Sequence, residues 1–260
     1  VDEHIRAIIA VHYGGIAADM PGLARAIGGR PIDLLEDNAH GLFATCAGRT
    51  LGTFGRLATL SFHETKNFTC GEGGALILNQ QRDLDRAHVL LHKGTNRRAF
   101  MLGEVDKYSW HDLGSSFGLS EMNAAFLLAQ LEARQAILAR RREVFDGYDR
   151  LLRPQAAALG LTLPEVPAGD VPGYHLYFVL LPDRAARDRV LAEMRAAGVM
   201  ATFHYVPLHS APGGRRFAAR ETACPVTDDV SGRLLRLPFH SALRPHDVER
   251  VAAALVQAIG

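Results

Sequence analysis

The sequence predicts an α/β protein with a mostly parallel sheet, followed by a smaller α+β domain. Residues 5–11 form a short apolar run, residues 20–27 carry apolar side chains at helical spacing, and residues 32–35 form a second apolar run. A strand, a helix and a strand at this pitch make a βαβ unit, and helices cover its parallel strands. A change of composition further along the chain introduces a second, shorter alternation of strands and helices.

The remaining elements of the first part continue this pattern. The apolar run 57–62 and the run that resumes at residue 75 predict two more strands, separated by a polar loop and a glycine-rich turn. Residues 83–91 and 120–152 have helical periodicity. The segment between these helices is expected to be long and irregular, and such loops are usually functional or form an inter-subunit arm.

Proline, glycine and alanine enrich residues 154–172, which makes this segment the best candidate for a linker. With the boundary placed in the preceding helix, the predicted domains are residues 1–140 and 141–260. The pattern of the second domain predicts strands at 176–181, 199–204 and 235–237, and helices at 184–197 and 245–259.

Composition argues against several classes of function. The net charge of +1 gives no reason to expect a nucleic acid or an anionic membrane as partner. No apolar run approaches the ~18 residues that a membrane span needs. Cys46, Cys70 and Cys224 are odd in number and scattered, which favours reduced thiols in a cytoplasmic protein. Neither H-E-x-x-H nor C-x-x-C occurs, so no metal site is predicted.

Lys66 is the residue around which the rest of the sequence is organised. It lies in a polar loop between two predicted buried strands, and it is one of only three lysines among 29 basic residues. Arginine cannot lose its proton, whereas a desolvated lysine amine can form a Schiff base with a carbonyl cofactor. The hypothesis is that Lys66 holds pyridoxal phosphate; the alternative is an ordinary solvated lysine.

Three polar residues near the carboxyl ends of predicted strands are candidate cofactor ligands, because ligands of parallel sheets gather there. Asp37 is a candidate partner of the pyridine nitrogen, or a turn former. His40 would stack on or bond the oxygen side of the ring, or cap the turn. Ser61 would bond the cofactor phosphate, or is a satisfied hydroxyl at a strand end.

Eight motifs together resemble the sugar-nucleotide aminotransferases of the DegT/DnrJ/EryC1/StrS family over essentially the whole chain. K-G-T-N-R and V-D-K-Y-S-W in particular resemble the branch of dTDP-4-amino-4,6-dideoxygalactose transaminases in enterobacterial-antigen-type glycan synthesis. The motifs are V-H-Y-G-G (11–15), E-D-N-A-H-G (36–41), L-G-T-F-G (51–55), S-F-H-E-T-K-N-F-T-C-G-E-G-G (61–74), K-G-T-N-R (93–97), V-D-K-Y-S-W (105–110), H-Y-V-P-L-H (204–209) and R-L-L-R-L-P (233–238).

This resemblance implies fold type I of the pyridoxal-phosphate enzymes, with an active site built by a homodimer. Lys66 would be the Schiff-base lysine and proton shuttle, Asp37 the pyridinium partner, His40 a ring-side contact and Ser61 a phosphate ligand. Four further residues would lie on the side of the nucleotide sugar, or else simply pack at strand ends: Tyr13, His204, Tyr205 and His209.

The implied reaction is transamination of a dTDP-4-keto-6-deoxyhexose to the 4-amino sugar nucleotide, with glutamate as amino donor. A sugar 3-dehydratase of the same family is an alternative, although that chemistry implies a histidine where Lys66 stands. A truncated, inactive homologue that serves as an interaction or dimerisation module is another.

Two departures from the family pattern accompany the resemblance. The asparagine that reaches the partner subunit's cofactor phosphate would fall near Gly118, where Ser115 or Ser116 would have to replace it. Family members also carry a substantial portion before V-H-Y-G-G, with a phosphate-binding loop, so the sequence is expected to be truncated at its N-terminus.

Overall fold

The computed structural model describes residues 4–260. The chain divides into two compact units, each with its own packing. The first unit runs to Gln135 and also contains Ala168–Gly173; the second comprises Ala136–Pro167 and Tyr174–Gly260. Residues 1–3 of the predicted first domain lie outside the described residues.

A four-stranded sheet forms the centre of the first unit. Its strands lie in the order β1, β2, β5, β6, and the first three are parallel while β6 is antiparallel to β5. This mixed, mostly parallel sheet confirms the predicted fold class. A short antiparallel hairpin, β3 and β4, connects β2 to β5 along the chain and is not part of this sheet. The strands are β1 (Ala7–Val11), β2 (Asp33–Asp37), β3 (Thr45–Cys46), β4 (Arg49–Thr50), β5 (Leu57–Ser61) and β6 (Gly74–Leu78).

Helix α1 (Met20–Ile27) connects β1 to β2 and has the bounds that the sequence predicts. The Asp19 carboxylate accepts a hydrogen bond from the Gly22 amide at 2.8 Å, which caps the first turn. Gly28 ends the helix in the left-handed conformation, with φ of 56°. A crossover helix is the usual connection between two parallel strands.

The two faces of this sheet differ in burial. One face carries Ala10 and Ala58, which are buried, and Ala10 packs in a cluster with Met20 and Leu51. The opposite face is open: Ile9 on β1 is 64% exposed. Since parallel sheets are normally covered on both sides, the open face is the one on which further protein or a ligand is expected.

Three helices complete the first unit: α2 (Leu84–Leu91), α3 (Arg97–Met101) and α4 (Glu121–Glu132). Helix α3 lies within the segment that was predicted to be irregular throughout. The helix predicted over residues 120–152 is in fact two helices, because the backbone leaves helical geometry at Ala133 before α5 (Arg134–Leu152) begins. No proline or glycine marks this break in the sequence.

The second unit packs helices against a two-stranded antiparallel sheet, as predicted for a small α+β domain. Its core contains Tyr148, Tyr177 and Leu255, all fully buried. Besides α5, its elements are β7 (Phe178–Leu180), α6 (Arg184–Ala196), α7 (Pro212–Phe217), α8 (Pro225–Arg233), β8 (Leu234–Arg236) and α9 (Pro245–Ile259).

The prediction of a strand over residues 199–204 is wrong. Only Thr202 joins the sheet, through a single bridge to Arg236, because β8 is three residues long and its other edge pairs with β7. Helices α7 and α8 were not predicted, although each begins with a proline at its first turn, a position that favours proline.

None of the helices described in residues 4–260 is both long and apolar enough to cross a membrane.

Candidate active site

The carboxyl ends of β2 and β5 lie side by side in the first unit. The strand register pairs Asp37 with Val11 on one side and Thr59 on the other. Ser61 follows Thr59 by two residues, so its side chain and that of Asp37 lie on the same face of the sheet. This is the open face.

Backbone hydrogen bonds hold Asp37 in place. Its carbonyl accepts from the His12 amide at 3.1 Å, and its carboxylate oxygen Oδ1 accepts from the Ala39 amide at 3.1 Å. The amide of the next residue, Asn38, donates to the Thr59 carbonyl at 3.0 Å. The turn-forming role weighed for Asp37 is therefore present, and it fixes the direction of the carboxylate.

His40 lies against the turn that follows β1. The Gly14 amide donates to its Nδ1 at 3.2 Å, and the Tyr13 ring meets the imidazole edge-on at 5.9 Å. Gly15 approaches so closely that a Cβ there would lie 2.8 Å from the His40 carbonyl oxygen, and its φ is +84°. The V-H-Y-G-G turn therefore needs glycine to come this close to His40.

Lys66 lines a small pocket in the first unit together with two other predicted site residues, His40 and Ser61. Its side chain is half-buried, and its amide closes a turn by donating to the His63 carbonyl at 2.9 Å. The pocket measures about 10 Å³. Its lining residues are Ala39, His40, Leu42, Ser61, Lys66, Asn67 and Phe68.

The chain on either side of Lys66 is firmly held. Asn67 donates from Nδ2 to the Gly173 carbonyl at 2.5 Å. Phe68 is buried and packs edge-on against Phe43, with ring centroids 5.2 Å apart. Beyond it, Gly71 takes a φ of +84° as the chain reverses into β6. The glycines thus let the backbone turn back beside the lysine, as the sequence indicates.

The other predicted substrate residues lie in the second unit. His204 is buried and Tyr205 exposed, and His209 pairs through Nε2 with Asp228 Oδ1 at 3.1 Å. All residues that line the Lys66 pocket belong to the first unit. The structure thus gathers Lys66, His40 and Ser61 in one pocket, with Tyr13 beside His40 and Asp37 at the end of β2. The other three predicted site residues, His204, Tyr205 and His209, belong to the second unit.

One pair next to the site was missed from the sequence. His12 and Glu36 are both fully buried and meet at 3.0 Å, between His12 Nε2 and Glu36 Oε2. Burial raises the pKa of the Glu36 carboxyl, but hydrogen bonds from His12 and three backbone amides outweigh it, so the pKa lies below 4.5. The predicted strand ends at residue 35, whereas the observed strand continues through Glu36 to Asp37, so the sequence did not indicate that Glu36 is buried.

The comparison with known proteins decides the family. The sequence profile of the DegT/DnrJ/EryC1/StrS aminotransferase family matches residues 1–256. The chain is a DegT/DnrJ/EryC1/StrS aminotransferase family member. The resemblance that its motifs indicated is thereby confirmed, although the particular dideoxygalactose branch is not.

Individual relatives of this family member agree. It is 29% identical over 259 residues to a dTDP-4-dehydro-2,3,6-trideoxy-D-glucose 4-aminotransferase from Saccharopolyspora spinosa, covering 98% of this chain and 66% of the relative. The solved aminotransferase TlmJ from Streptoalloteichus hindustanus superposes with a TM-score of 0.87 at 28% identity, over 99% of this chain and 67% of TlmJ. DesV of S. venezuelae, solved with a ketimine intermediate, superposes with a TM-score of 0.86 at 28% identity, over 100% of this chain and 66% of DesV.

These relatives are longer than the family member described here, which spans 66% of the curated relative. Their superposition confirms the predicted fold, that of the pyridoxal-phosphate-dependent aminotransferases.

The site residues fit pyridoxal phosphate in kind. An amine, a carboxylate at a strand end and a hydroxyl are suitable partners for an aldehyde, a pyridine nitrogen and a phosphate. Lys66, Asp37 and Ser61 supply these groups at one edge of the sheet. A pocket of about 10 Å³ has room for roughly one water molecule, and the adjoining sheet face is open. The described residues are therefore chemically suited to contact one side of this cofactor.

Proposed function

We propose that this chain carries the lysine-bearing side of the active site of a pyridoxal-phosphate-dependent aminotransferase. Its substrate would be a dTDP-4-keto-6-deoxyhexose, aminated at C4 with glutamate as donor. The observation that carries the proposal is the shared pocket of Lys66, His40 and Ser61, beside the strand end that bears Asp37. Family membership supports the class of reaction.

Lys66 is the proposed catalytic residue. Bound pyridoxal phosphate supplies an electron sink for the negative charge that develops on the carbon losing its proton. The Lys66 amine would hold the aldehyde group and, once released, carry a proton between the substrate carbon and the cofactor.

Three neighbours would bind and orient the cofactor. Asp37 would keep the pyridine nitrogen protonated through a charge-assisted hydrogen bond. The ring of His40, held by the Gly14 amide, would contact the ring side, and Ser61 would donate its hydroxyl to the phosphate.

The proposed substrate class is supported by the Saccharopolyspora relative, whose name specifies a dTDP-linked 4-keto sugar. Tyr13 would approach the sugar from its position beside His40. His204, Tyr205 and His209 of the second unit would contact the nucleotide sugar. The product class, an amino sugar nucleotide, suits cytoplasmic synthesis of a lipopolysaccharide or enterobacterial-common-antigen type of glycan.

A homodimer is proposed as the working assembly. Several large apolar side chains of the first unit are exposed in residues 110–126, before and within α4, and exposed apolar side chains in such numbers favour an interface. Met122 and Leu113 are 82% and 77% exposed. The same group includes Trp110, Phe117 and Phe126.

The chain's three lysines provide a direct test. Pyridoxal phosphate is added to the protein, the adduct is reduced with borohydride, and the labelled peptide is identified by mass spectrometry. The label is expected on Lys66, with loss of the visible absorption band in Lys66→Ala and retention in the matched controls Lys93→Ala and Lys107→Ala. Equal labelling of all three lysines, or a band that survives in Lys66→Ala, would overturn the proposal.

A second candidate function is a dimerisation module without catalysis. The open sheet face and the small pocket favour it, because both leave a bound cofactor without an enclosing wall. The labelling experiment separates the two functions, since a non-catalytic module shows no preference for Lys66. The related 3-dehydratase reaction is disfavoured by the lysine itself.

A further inference from the structure

Glu36 and His12 form a buried pair on the covered side of the sheet. Glu36 directly precedes Asp37 in β2, so the two side chains point to opposite faces. Neither Glu36 nor His12 lines the Lys66 pocket, and the proposed reaction gives neither of them a role.

The Glu36 carboxylate is completely occupied by donors. Oε2 accepts from His12 Nε2 at 3.0 Å and from the Gly52 amide at 2.7 Å. Oε1 accepts from the amides of Phe54 and Gly55, each at 2.7 Å. Two donors on each oxygen compensate a buried carboxylate for the water it has lost. The carboxylate thereby draws the L-G-T-F-G loop, residues 51–55, onto the end of β2.

Hydrogen bonding determines which ring nitrogen of His12 carries the proton. The Ala18 amide donates to Nδ1 at 3.2 Å, so Nδ1 is an acceptor and bears no hydrogen. Nε2 must then carry the proton, and it donates to Glu36. The imidazole of His12 is therefore held in one orientation between a carboxylate and a backbone amide.

Backbone hydrogen bonds connect the segment that begins at His12 to both Asp37 and His40. Its own amide donates to the Asp37 carbonyl at 3.1 Å. Two residues later, the Gly14 amide donates to His40 Nδ1 at 3.2 Å. The position of His12 is thus transmitted through the backbone to the peptide of Asp37 and to the ring of His40.

The geometry points to Glu36 as a positioning residue that acts through His12 to aim the Asp37 carboxylate and the His40 ring at the cofactor. This inference rests on the proposed function of the open-face site. Glu36 does not touch that face, so its effect on the reaction is indirect.

Glu36→Gln is the first test. The side chain keeps its shape, but one carboxylate oxygen becomes an NH₂ group, which must face two N–H donors on whichever side it lies. Amide hydrogen exchange at Gly52, Phe54 and Gly55 is expected to accelerate about tenfold. The diagnostic result is similar acceleration at Ala39 and Gly14, whose acceptors are the Asp37 and His40 side chains.

Cys46→Ala is the matched control, because Cys46 is buried in the same unit and is not among the hydrogen-bond partners described for Glu36 or His12. It should leave exchange at Ala39 and Gly14 unchanged. In the holoenzyme, Glu36→Gln is expected to lower kcat about tenfold with little change in KM for the amino donor, because Asp37 acts on the electronics of the reaction. Borohydride labelling of Lys66 should persist.

Variants of His12 provide a test even if Glu36→Gln does not fold. His12→Gln keeps an N–H donor for Glu36, whereas His12→Phe keeps the ring shape and loses the donor. Exchange at Ala39 and Gly14 should be near wild type in the first variant and about tenfold faster in the second.

The inference is overturned if Glu36→Gln and His12→Phe accelerate exchange only at residues 52–55 and leave kcat as in Cys46→Ala. Equal behaviour of the two His12 variants would also overturn it. If the wild-type protein does not label at Lys66, the proposed function is contradicted instead. Amide exchange at Ala39 and Gly14 would still decide the role of Glu36.

Discussion

Asn67, the neighbour of Lys66, donates a hydrogen bond from Nδ2 to the carbonyl oxygen of Gly173 at 2.5 Å. These residues are 106 positions apart in the sequence. The bond ties the lysine loop to the short segment Ala168–Gly173 that returns to the first unit. The position of the proposed catalytic amine therefore depends on a distant part of the chain.

Asn67→Ala is expected to loosen the lysine loop without removing the lysine. Loss of the side-chain bond should cost about 1 kcal/mol in the free energy of unfolding. Borohydride labelling of Lys66 by pyridoxal phosphate should become slower, because the amine is less well oriented. Chemical denaturation and labelling rates measure the two effects. An unchanged labelling rate would show that the Asn67 bond does not position the amine.

Gly173→Ala should disturb the same region by steric overlap. A Cβ at Gly173 would lie 2.7 Å from the His40 carbonyl oxygen and 3.3 Å from the Gly41 Cα, both backbone atoms that cannot easily move. A destabilisation of about 1–3 kcal/mol is expected. Gly118→Ala is the control, since nothing lies within 4 Å of a Cβ there. Thermal unfolding of the two variants side by side checks the difference.

Lys66→Arg separates charge from nucleophilicity. Arginine keeps the positive charge but cannot lose its proton, so the variant should behave like Lys66→Ala in the cofactor assay. Fold stability should be near wild type, because the side chain is only half-buried. Absorption spectroscopy with added pyridoxal phosphate is the measurement. A visible band in Lys66→Arg would mean that another amine reacts.

Glu36 is expected to make the free energy of unfolding depend on pH in the acid range. Its pKa in the folded protein is lowered below the ordinary 4.5, so the folded state holds the proton less tightly than the unfolded state. The stabilisation is present above pH 4.5 and is lost as the pH falls through the lowered pKa of the folded state. Unfolding measured from neutral pH downward should show a shallower acid decline in Glu36→Gln than in wild type. Parallel curves would contradict the prediction.

Arg141 is expected to be essential to the stability of the second unit, although it has no role in the proposed chemistry. Its buried guanidinium donates to the carbonyls of Tyr174 and His175 and lies 4.9 Å from the centre of the Phe239 ring. Burial lowers its pKa to about 10. Arg141→Ala leaves both carbonyls without this donor and should cost about 2–4 kcal/mol.

The neighbouring Arg142 is the control for this prediction. Its side chain is 66% exposed and pairs with Asp146 on the helix surface, a type of pair that contributes little. Arg142→Ala should change the free energy of unfolding by less than about 0.5 kcal/mol. Denaturant unfolding of both variants tests the contrast, and equal losses would be inconsistent with it.

Local signals in the sequence succeeded where the residues that decide a boundary are adjacent. Helix α1 begins after Asp19 and ends at Gly28, and α9 begins at Pro245, as predicted. The break at Ala133 has no such signal. The prediction of a strand over 199–204 was wrong because a strand needs a partner. The short strand β8 provides only one bridge to this segment, at Thr202.

The site was predictable in part for the same reason. Lys66, Asp37 and Ser61 could be proposed as site residues because their residue types have a specific chemistry at strand ends. Glu36 and His12 escaped notice because their partners come from three separate segments, and sequence separation hides such a cluster. The placement of the second unit's residues in the site remains a prediction.

The sequence by itself determined the family, the four sheet strands and most helices of the first unit, and the candidate lysine, because these depend on residue chemistry and short-range periodicity. Only the tertiary structure decided that Asp37 and Ser61 share the open face of the sheet and that Glu36 meets His12 on the covered face. The physical reason is that strand register and loop closure, which set such distances, arise from hydrogen bonds between segments far apart in the chain.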